Sequence, residues 1–180
     1  MTGHTHGEFR TLRACILVLS DKGSRGERVD TSGPALRDFL TDRGVEVACL
    51  ELLPDTRARI AEWLADRADD GRCDLILTCG GTGVSPRDVT PEATRDVITV
   101  ELPGFGERMR AASLEKSPHA IVSRAIAGLR QGCLIVNLPG SPRAALENLE
   151  AVWGAVPHTV AKLQGDMTDC AAPPDSPDTQ

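Results

Sequence analysis

Asp74-Leu75-Ile76-Leu77-Thr78-Cys79-Gly80-Gly81-Thr82-Gly83 decides how this chain folds. An unbroken apolar run reads as a strand buried on both faces. The glycines behind it let the backbone turn sharply and let a ligand approach without a Cβ in the way. The arrangement recurs where Leu134-Ile135-Val136 runs into Asn137-Leu138-Pro139-Gly140-Ser141-Pro142. Each segment leads towards a helix-like stretch. Backbone amides at such turns, and at the helix starts beyond them, can hold phosphate oxygens. Two such loops in one short chain point to a shared cleft for a phosphorylated ligand.

Outward from these loops the pattern alternates. Strands are expected over Arg13–Leu19, 45–53 and 73–79, with two more over 120–127 and 133–138. The last pair is separated only by 128–132, too short for a parallel crossover, so a hairpin is expected there. Helices are expected over 34–43 with Pro34 at the first position, 57–68, from Thr90, over 105–114, 143–152 and 157–163. Thr90 would cap its helix with its hydroxyl, followed by Pro91 and Glu92. Strands alternating with helices make this an α/β chain: a mostly parallel, mixed sheet covered on both faces. Ligands of such sheets bind beyond the carboxyl ends of the strands, where Ser20-Asp21, Pro54-Asp55 and both glycine loops fall.

The composition fits one domain of 180 residues with an aliphatic core, since 41% of residues are hydrophobic but only 3% aromatic. Residues 12–165 are expected to form that domain, between a flexible 1–11 and an acidic, disordered 166–180. The formal charge is −6, and four Asp lie in that last segment; the remainder holds 20 basic against 22 acidic residues. No basic stripe for nucleic acid is present. With neither a membrane-length apolar run nor the apolar middle of a signal peptide, a cytoplasmic location is expected. The six cysteines show no CxxC spacing. Those in or beside strands (Cys15, Cys49, Cys73, Cys79, Cys133) read as buried free thiols, and Cys170 lies near the end.

Several residues admit two readings. Asp88, after Gly80, Gly81, Thr82 and Gly83, either holds a metal or polarises a nucleophile, or closes a local turn. Asp55 either caps the next helix or joins Asp88 in holding Mg²⁺ against a nucleotide's phosphates. Ser141 either offers its hydroxyl to the ligand or caps a helix. Asp30-Thr31-Ser32-Gly33 is open in the same way. Ser123-Arg124 either presents a guanidinium to phosphate or is an ordinary exposed arginine. The glycine loop is neither a Walker loop nor GxGxxG.

Gly80-Gly81-Thr82-Gly83 with Pro86-Arg87-Asp88-Val89-Thr90-Pro91-Glu92-Ala93-Thr94 resembles the molybdopterin adenylyltransferase family, of MogA/MoaB type. Supporting pieces are Ser20-Asp21, Asp30-Thr31-Ser32-Gly33-Pro34, Pro54-Asp55, Ser123-Arg124, Ala127-Gly128 and Asn137 to Pro142, and the likeness runs from Arg13 to Asp166. The resemblance implies a three-layer αβα sandwich, assembled as a trimer or hexamer. It also implies adenylylation of molybdopterin with ATP and Mg²⁺, with release of pyrophosphate and delivery to a separate molybdenum-inserting enzyme. It implies that Asp55 and Asp88 are needed for activity. Ser20, Asp21, Asp30, Ser32, Gly33, Cys79 to Gly83, Ser123, Arg124, Asn137, Pro139, Gly140 and Ser141 would bind nucleotide or pterin, the two glycine loops forming opposite walls. Cys79 departs from the pattern, since threonine is common there, and so does Val122, where leucine is frequent.

The rivals are a non-catalytic molybdopterin-binding or scaffolding protein of the same fold, and a domain of the molybdenum-inserting or CinA-like proteins. Retention of both aspartates favours the enzyme. The lack of the extra domains those proteins carry counts against the second rival.

Overall fold

The computed structural model describes residues 11–167. The expectations for the first ten residues, for Cys170 and for most of the acidic segment lie outside them.

Six strands, β1 (Arg13–Leu19), β2 (Glu46–Leu53), β3 (Leu75–Cys79), β4 (Val100–Glu101), β5 (Ala127–Arg130) and β6 (Cys133–Leu138), form one sheet in the order β2-β1-β3-β6-β5-β4. β2, β1, β3 and β6 run parallel; β5 is antiparallel to both its neighbours. The sheet is therefore mixed and mostly parallel, as the sequence predicts.

The helices are α1 (Asp21–Ser24), α2 (Ser32–Thr41), α3 (Arg57–Asp69), α4 (Thr90–Arg95), α5 (Pro103–Leu114), α6 (Pro142–Val152) and α7 (Ala155–Leu163), with a 3-10 turn over Pro118–Val122. Alternation along each buried strand sends side chains to two cores. Ile16, Leu77 and Val136 pack with Leu36 of α2, Met109 of α5, Leu149 of α6 and Val156 of α7. On the other face Leu17, Ile76 and Ile135 meet Ile60, Trp63 and Leu64 of α3 and Ala93 of α4. This is the three-layer αβα arrangement. Burial on both faces also explains why β1, β3 and β6 carry no polar alternation.

Three local expectations are corrected. The strand expected over 120–127 begins at Ala127; the stretch before it is the 3-10 turn, opened by Pro118 and capped by Ser117 Oγ on the His119 amide (3.3 Å). The hairpin itself is present, turned by Gln131 (φ 49°) and Gly132 (φ 88°), both left-handed as a two-residue I′ connection requires. α2 starts two residues before Pro34, whose ring sits in the first turn, where no intrahelical N–H is needed. Thr90 is the first residue of α4 and caps nothing; its hydroxyl donates to the Gly80 carbonyl at 2.8 Å. β4 and α1, too short to show periodicity, have no sequence signal.

Among the described residues no helix is long and apolar enough to cross a membrane. Cys15, Cys73, Cys79 and Cys133 are buried free thiols and Cys49 is half-buried and free.

Candidate functional site

β1 connects through α2 to β2 on one side, while β3 lies on its other side, so the loops leaving β1 and β3 diverge. Divergence of this kind opens a crevice at the carboxyl edge of the sheet. A cavity of about 380 Å³ occupies it. Ser20, Asp21, Asp30 and Ser32 line one side, Gly80, Gly81, Gly140 and Ser141 the other, and Asp55 and Asp88 also line it.

The glycine loop takes its shape from close approach. Gly80 (φ 119°) and Gly81 (φ 63°) both adopt left-handed backbone. A Cβ on Gly80 would strike the Leu19 carbonyl oxygen, and one on Gly81 the Thr90 hydroxyl. The Gly80 amide donates to the Leu138 carbonyl at 3.0 Å. Cys79 Sγ, kept protonated by burial that pushes its thiol up to about 12, donates to the Pro139 carbonyl at 3.1 Å. A Cβ on Gly140 would lie 3.3 Å from Gly80 Cα. The two glycine loops are therefore neighbours on one wall, not opposite walls. The facing wall is the segment after β1, tied across by Ser32 Oγ donating to the Gly140 carbonyl at 3.0 Å.

Asp55 does not cap α3: Thr56 occupies the cap, with no side-chain hydrogen bond. Instead Asp55 Oδ2 accepts the Asp21 amide at 3.0 Å and Asp21 Oδ1 accepts the Asp55 amide at 3.1 Å. Burial pushes the Asp55 carboxyl up; the Asp21 amide opposes this, and the charges of Asp21 and Asp88 add to it. Asp21 moves the other way, held down chiefly by the Arg87 guanidinium. Asp88 closes the local turn, its Oδ2 accepting the Ser85 amide at 2.8 Å. The turn leaves Asp88 facing the cavity.

Capping and lining likewise coexist elsewhere. Ser20 Oγ accepts the Gly23 amide, Asp30 Oδ1 accepts the Ser32 and Gly33 amides, and Ser141 Oγ accepts the Ala144 amide. The starts of α2 and α6 thus meet at the cleft, where helix dipoles favour anions.

Other expected ligands sit elsewhere. Asn137 is fully buried, its Nδ2 donating to Thr78 Oγ1 and Thr94 Oγ1 at 2.9 Å each; it pins β6 to β3 and α4. Thr82, Gly83, Ser123 and Pro139 line a second cavity of about 290 Å³ with Arg110, Lys116 and Asn148. Arg124 presents nothing to the main cleft. Its Nε donates to the Gly83 carbonyl and its Nη2 to the Asp88 carbonyl, both at 2.6 Å, while Nη1 bonds Glu92. It braces the loop that carries Asp88. Gly33 is buried at the start of α2, where a Cβ would meet Asp30, Val18 and Leu50.

Sequence reasoning missed Lys22 and Arg28 on the cavity wall and the Arg87–Asp21 ion pair at 2.6 Å. The signal was position: Lys22 and Arg28 sit between β1 and α2, and Arg87 adjoins Asp88. The polar side chains lining the cavity are the carboxylates of Asp21, Asp30, Asp55 and Asp88, the cations of Lys22 and Arg28, and the hydroxyl residues Ser20, Thr31, Ser32 and Ser141. Among the described residues no cluster of three or more His, Cys, Asp or Glu is placed to hold a metal by itself.

The model of a probable molybdopterin binding domain matches residues 15–158. The chain is 42% identical over 160 residues to a molybdopterin adenylyltransferase of Helicobacter pylori, covering 88% of this chain and 91% of that one. It is 40% identical over 177 residues to the Escherichia coli K12 molybdopterin adenylyltransferase, covering 91% of each. Among solved structures, the molybdopterin biosynthesis enzyme MoaB of Thermus thermophilus superposes with a TM-score of 0.81 at 49% identity, over 87% of this chain and 98% of that one. A fold, a cleft and a sequence likeness spanning the same residues agree: the chain belongs to the MogA/MoaB-type molybdopterin adenylyltransferase family.

Proposed function

We propose that this chain transfers AMP from ATP to the terminal phosphate of molybdopterin in molybdenum cofactor biosynthesis. The observation that carries the reading is the convergence of Asp55 and Asp88 on a cleft walled by Gly80, Gly81 and Gly140. A pterin phosphate oxygen bonds the α-phosphorus, and the bond from that phosphorus to the bridging oxygen breaks. Pyrophosphate leaves with the electron pair. Such a transfer needs in-line positioning and charge neutralisation more than covalent help.

Each requirement has a source in this chain. The loop beyond Gly80, whose own amide is held by Leu138, and the dipoles of α2 and α6 would orient phosphate oxygens. The reciprocal hydrogen bonds from the Asp21 and Asp55 amides to each other's carboxylates fix the segment after β1 against the loop after β2. Arg124 fixes the loop carrying Asp88. Mg²⁺ fits the donor set: two carboxylates facing one cavity, completed by substrate phosphates, suit this oxygen-seeking ion. Asp55 and Asp88 would hold it, and it would supply charge neutralisation on the phosphates. Burial first, and the charges of Asp21 and Asp88 after it, push Asp55 up, and a cation there would relieve both. Assembly as a homotrimer or hexamer, cytoplasmic location and delivery to a molybdenum-inserting enzyme complete the proposal.

The test is incubation with molybdopterin, Mg²⁺ and ATP labelled on the α-phosphate. Label is expected in an adenylyl-pterin, with stoichiometric pyrophosphate. A preparation that binds pterin but yields no labelled product makes the chain a pterin carrier instead.

A further inference from the structure

Three cations stand at the cleft: Lys22 and Arg28 line the cavity, and Arg87 is bonded to Asp21 on its wall. Arg87, beside Asp88, reaches across from the loop after β3 to the loop after β1. It places Nε (2.9 Å) and Nη2 (2.6 Å) on the same oxygen, Asp21 Oδ2. The other Asp21 oxygen is engaged by the Asp55 amide.

Two features make this pairing exchangeable. The Arg87 side chain is 64% exposed, and ion pairs open to water add little to stability. Both nitrogens also crowd one oxygen, whereas the guanidinium fork is matched best by two, as a phosphate offers. Arg124, bonded to the same loop, is the contrast: three of its nitrogens are fixed on three separate acceptors, two of them carbonyls. One arginine braces the loop; the other is free to change partner.

Charge gives the exchange a direction. Four carboxylates (Asp21, Asp30, Asp55 and Asp88) and two cations (Lys22 and Arg28) line the cavity, and a nucleoside triphosphate entering it brings further negative charge. Asp55 is half-buried, while Arg87 is exposed and bonded to Asp21, a residue of the cavity wall. With the α-phosphorus near Asp55 and Asp88, like-charge repulsion turns the β- and γ-phosphates towards cations, of which Arg87 adjoins Asp88 in the chain.

We propose that Arg87 leaves Asp21 on nucleotide binding and takes the β,γ-diphosphate, the part that departs as pyrophosphate, while Asp21 holds it when the cleft is empty. The inference rests on the adenylyl-transfer reading for the identity of the polyphosphate. When the bridging bond breaks, the electron pair stays on the pyrophosphate oxygen, and the guanidinium charge lies beside it.

The test is calorimetric binding of ATP, AMP and inorganic pyrophosphate, each with Mg²⁺, to the full chain and to Arg87→Ala and Arg87→Lys. Arg87→Ala is expected to weaken ATP and pyrophosphate about tenfold, as loss of one charge-assisted contact would, and to leave AMP within about twofold. Arg87→Lys, which keeps the charge without the fork, is expected to fall between. The KM for ATP should rise with Arg87→Ala while that for molybdopterin holds. Unchanged ATP binding, or an equal loss for AMP, overturns the assignment even if the wild type transfers AMP. A wild type that binds neither ATP nor pyrophosphate removes the transfer reading and this one together.

Discussion

Asp21 and Asp55 each accept the other's backbone amide, at 3.0 and 3.1 Å, so the start of α1 and the loop after β2 are locked face to face at the cleft. The same pairing brings two carboxylates together and leaves Asp55 half-buried. That arrangement favours chemistry over stability.

Asp55→Asn should therefore abolish adenylyl transfer and raise the thermal midpoint at neutral pH. The folded-state pKa of Asp55 lies above the ordinary 3.8, so its contribution to stability is present below that value and lost as pH rises through the folded pKa. Asparagine removes the buried charge and can still accept the Asp21 amide. Thermal scans of both proteins, with the labelled-ATP assay, check this; a lowered midpoint at pH 7 contradicts it.

The acid limb of kcat/KM should lie above the ordinary aspartate range, because Asp55 must be ionised to serve phosphate or cation. Asp21 is shifted downward by Arg87 and stays ionised across that limb. A pH–rate profile for AMP transfer locates it. An acid limb at or below 3.8 assigns the limiting group elsewhere.

Gly81→Ala should destabilise by about 1–3 kcal/mol, the cost of a strained left-handed residue, and cut activity further than stability. The new Cβ would drive the Thr90 hydroxyl off the Gly80 carbonyl, moving the wall of the cleft. Denaturant melts and kcat measured on the folded variant separate the two effects.

Asn137→Ala should cost about 2 kcal/mol or more, since two buried hydroxyls lose their partner. That corresponds to about 4–8 °C in the midpoint for a chain of this size. The KM values for ATP and molybdopterin should stay put, because Asn137 is fully buried beneath the cleft. A raised KM with an unchanged midpoint would restore it as a ligand.

Arg124→Ala should lower kcat by at least about tenfold, a loss of roughly 1.4 kcal/mol, with a smaller change in KM for ATP. It removes the donors on the Gly83 and Asp88 carbonyls while touching no cavity-facing oxygen of the substrate site. Recovery of kcat on adding free guanidinium ion would identify the brace; a rise confined to KM would mark Arg124 as a direct ligand.

The sheet, its buried central strands and the glycine loops were legible because each rests on local chemistry. Unbroken aliphatic runs such as Arg13–Leu19 can be satisfied only with both faces covered, and Gly80 and Gly81 announce a turn that side chains forbid. Asp55 and Asp88 were visible as carboxylates at strand ends. The stretch 120–127 misled because Ala, Ile and Val there suit a strand, while Pro118 and the Ser117 cap impose a 3-10 turn before Ala127.

Side-chain roles were beyond the sequence, which fixes what a residue offers but not which acceptor lies within reach. Asn137 and Arg124 both looked like ligand donors, and packing turned one into a buried pin and the other into a brace. Only the sheet order set the two glycine loops side by side and put Asp21 against Asp55, through contacts 34 residues apart in the chain. Sequence alone determined the architecture and the glycine loops that wall the cleft, because burial and backbone freedom are local properties. Tertiary structure decided which carboxylates face the cleft, that Arg124 is tied to loop carbonyls and that Arg87 pairs with Asp21, because those depend on distances between segments that only folding brings together.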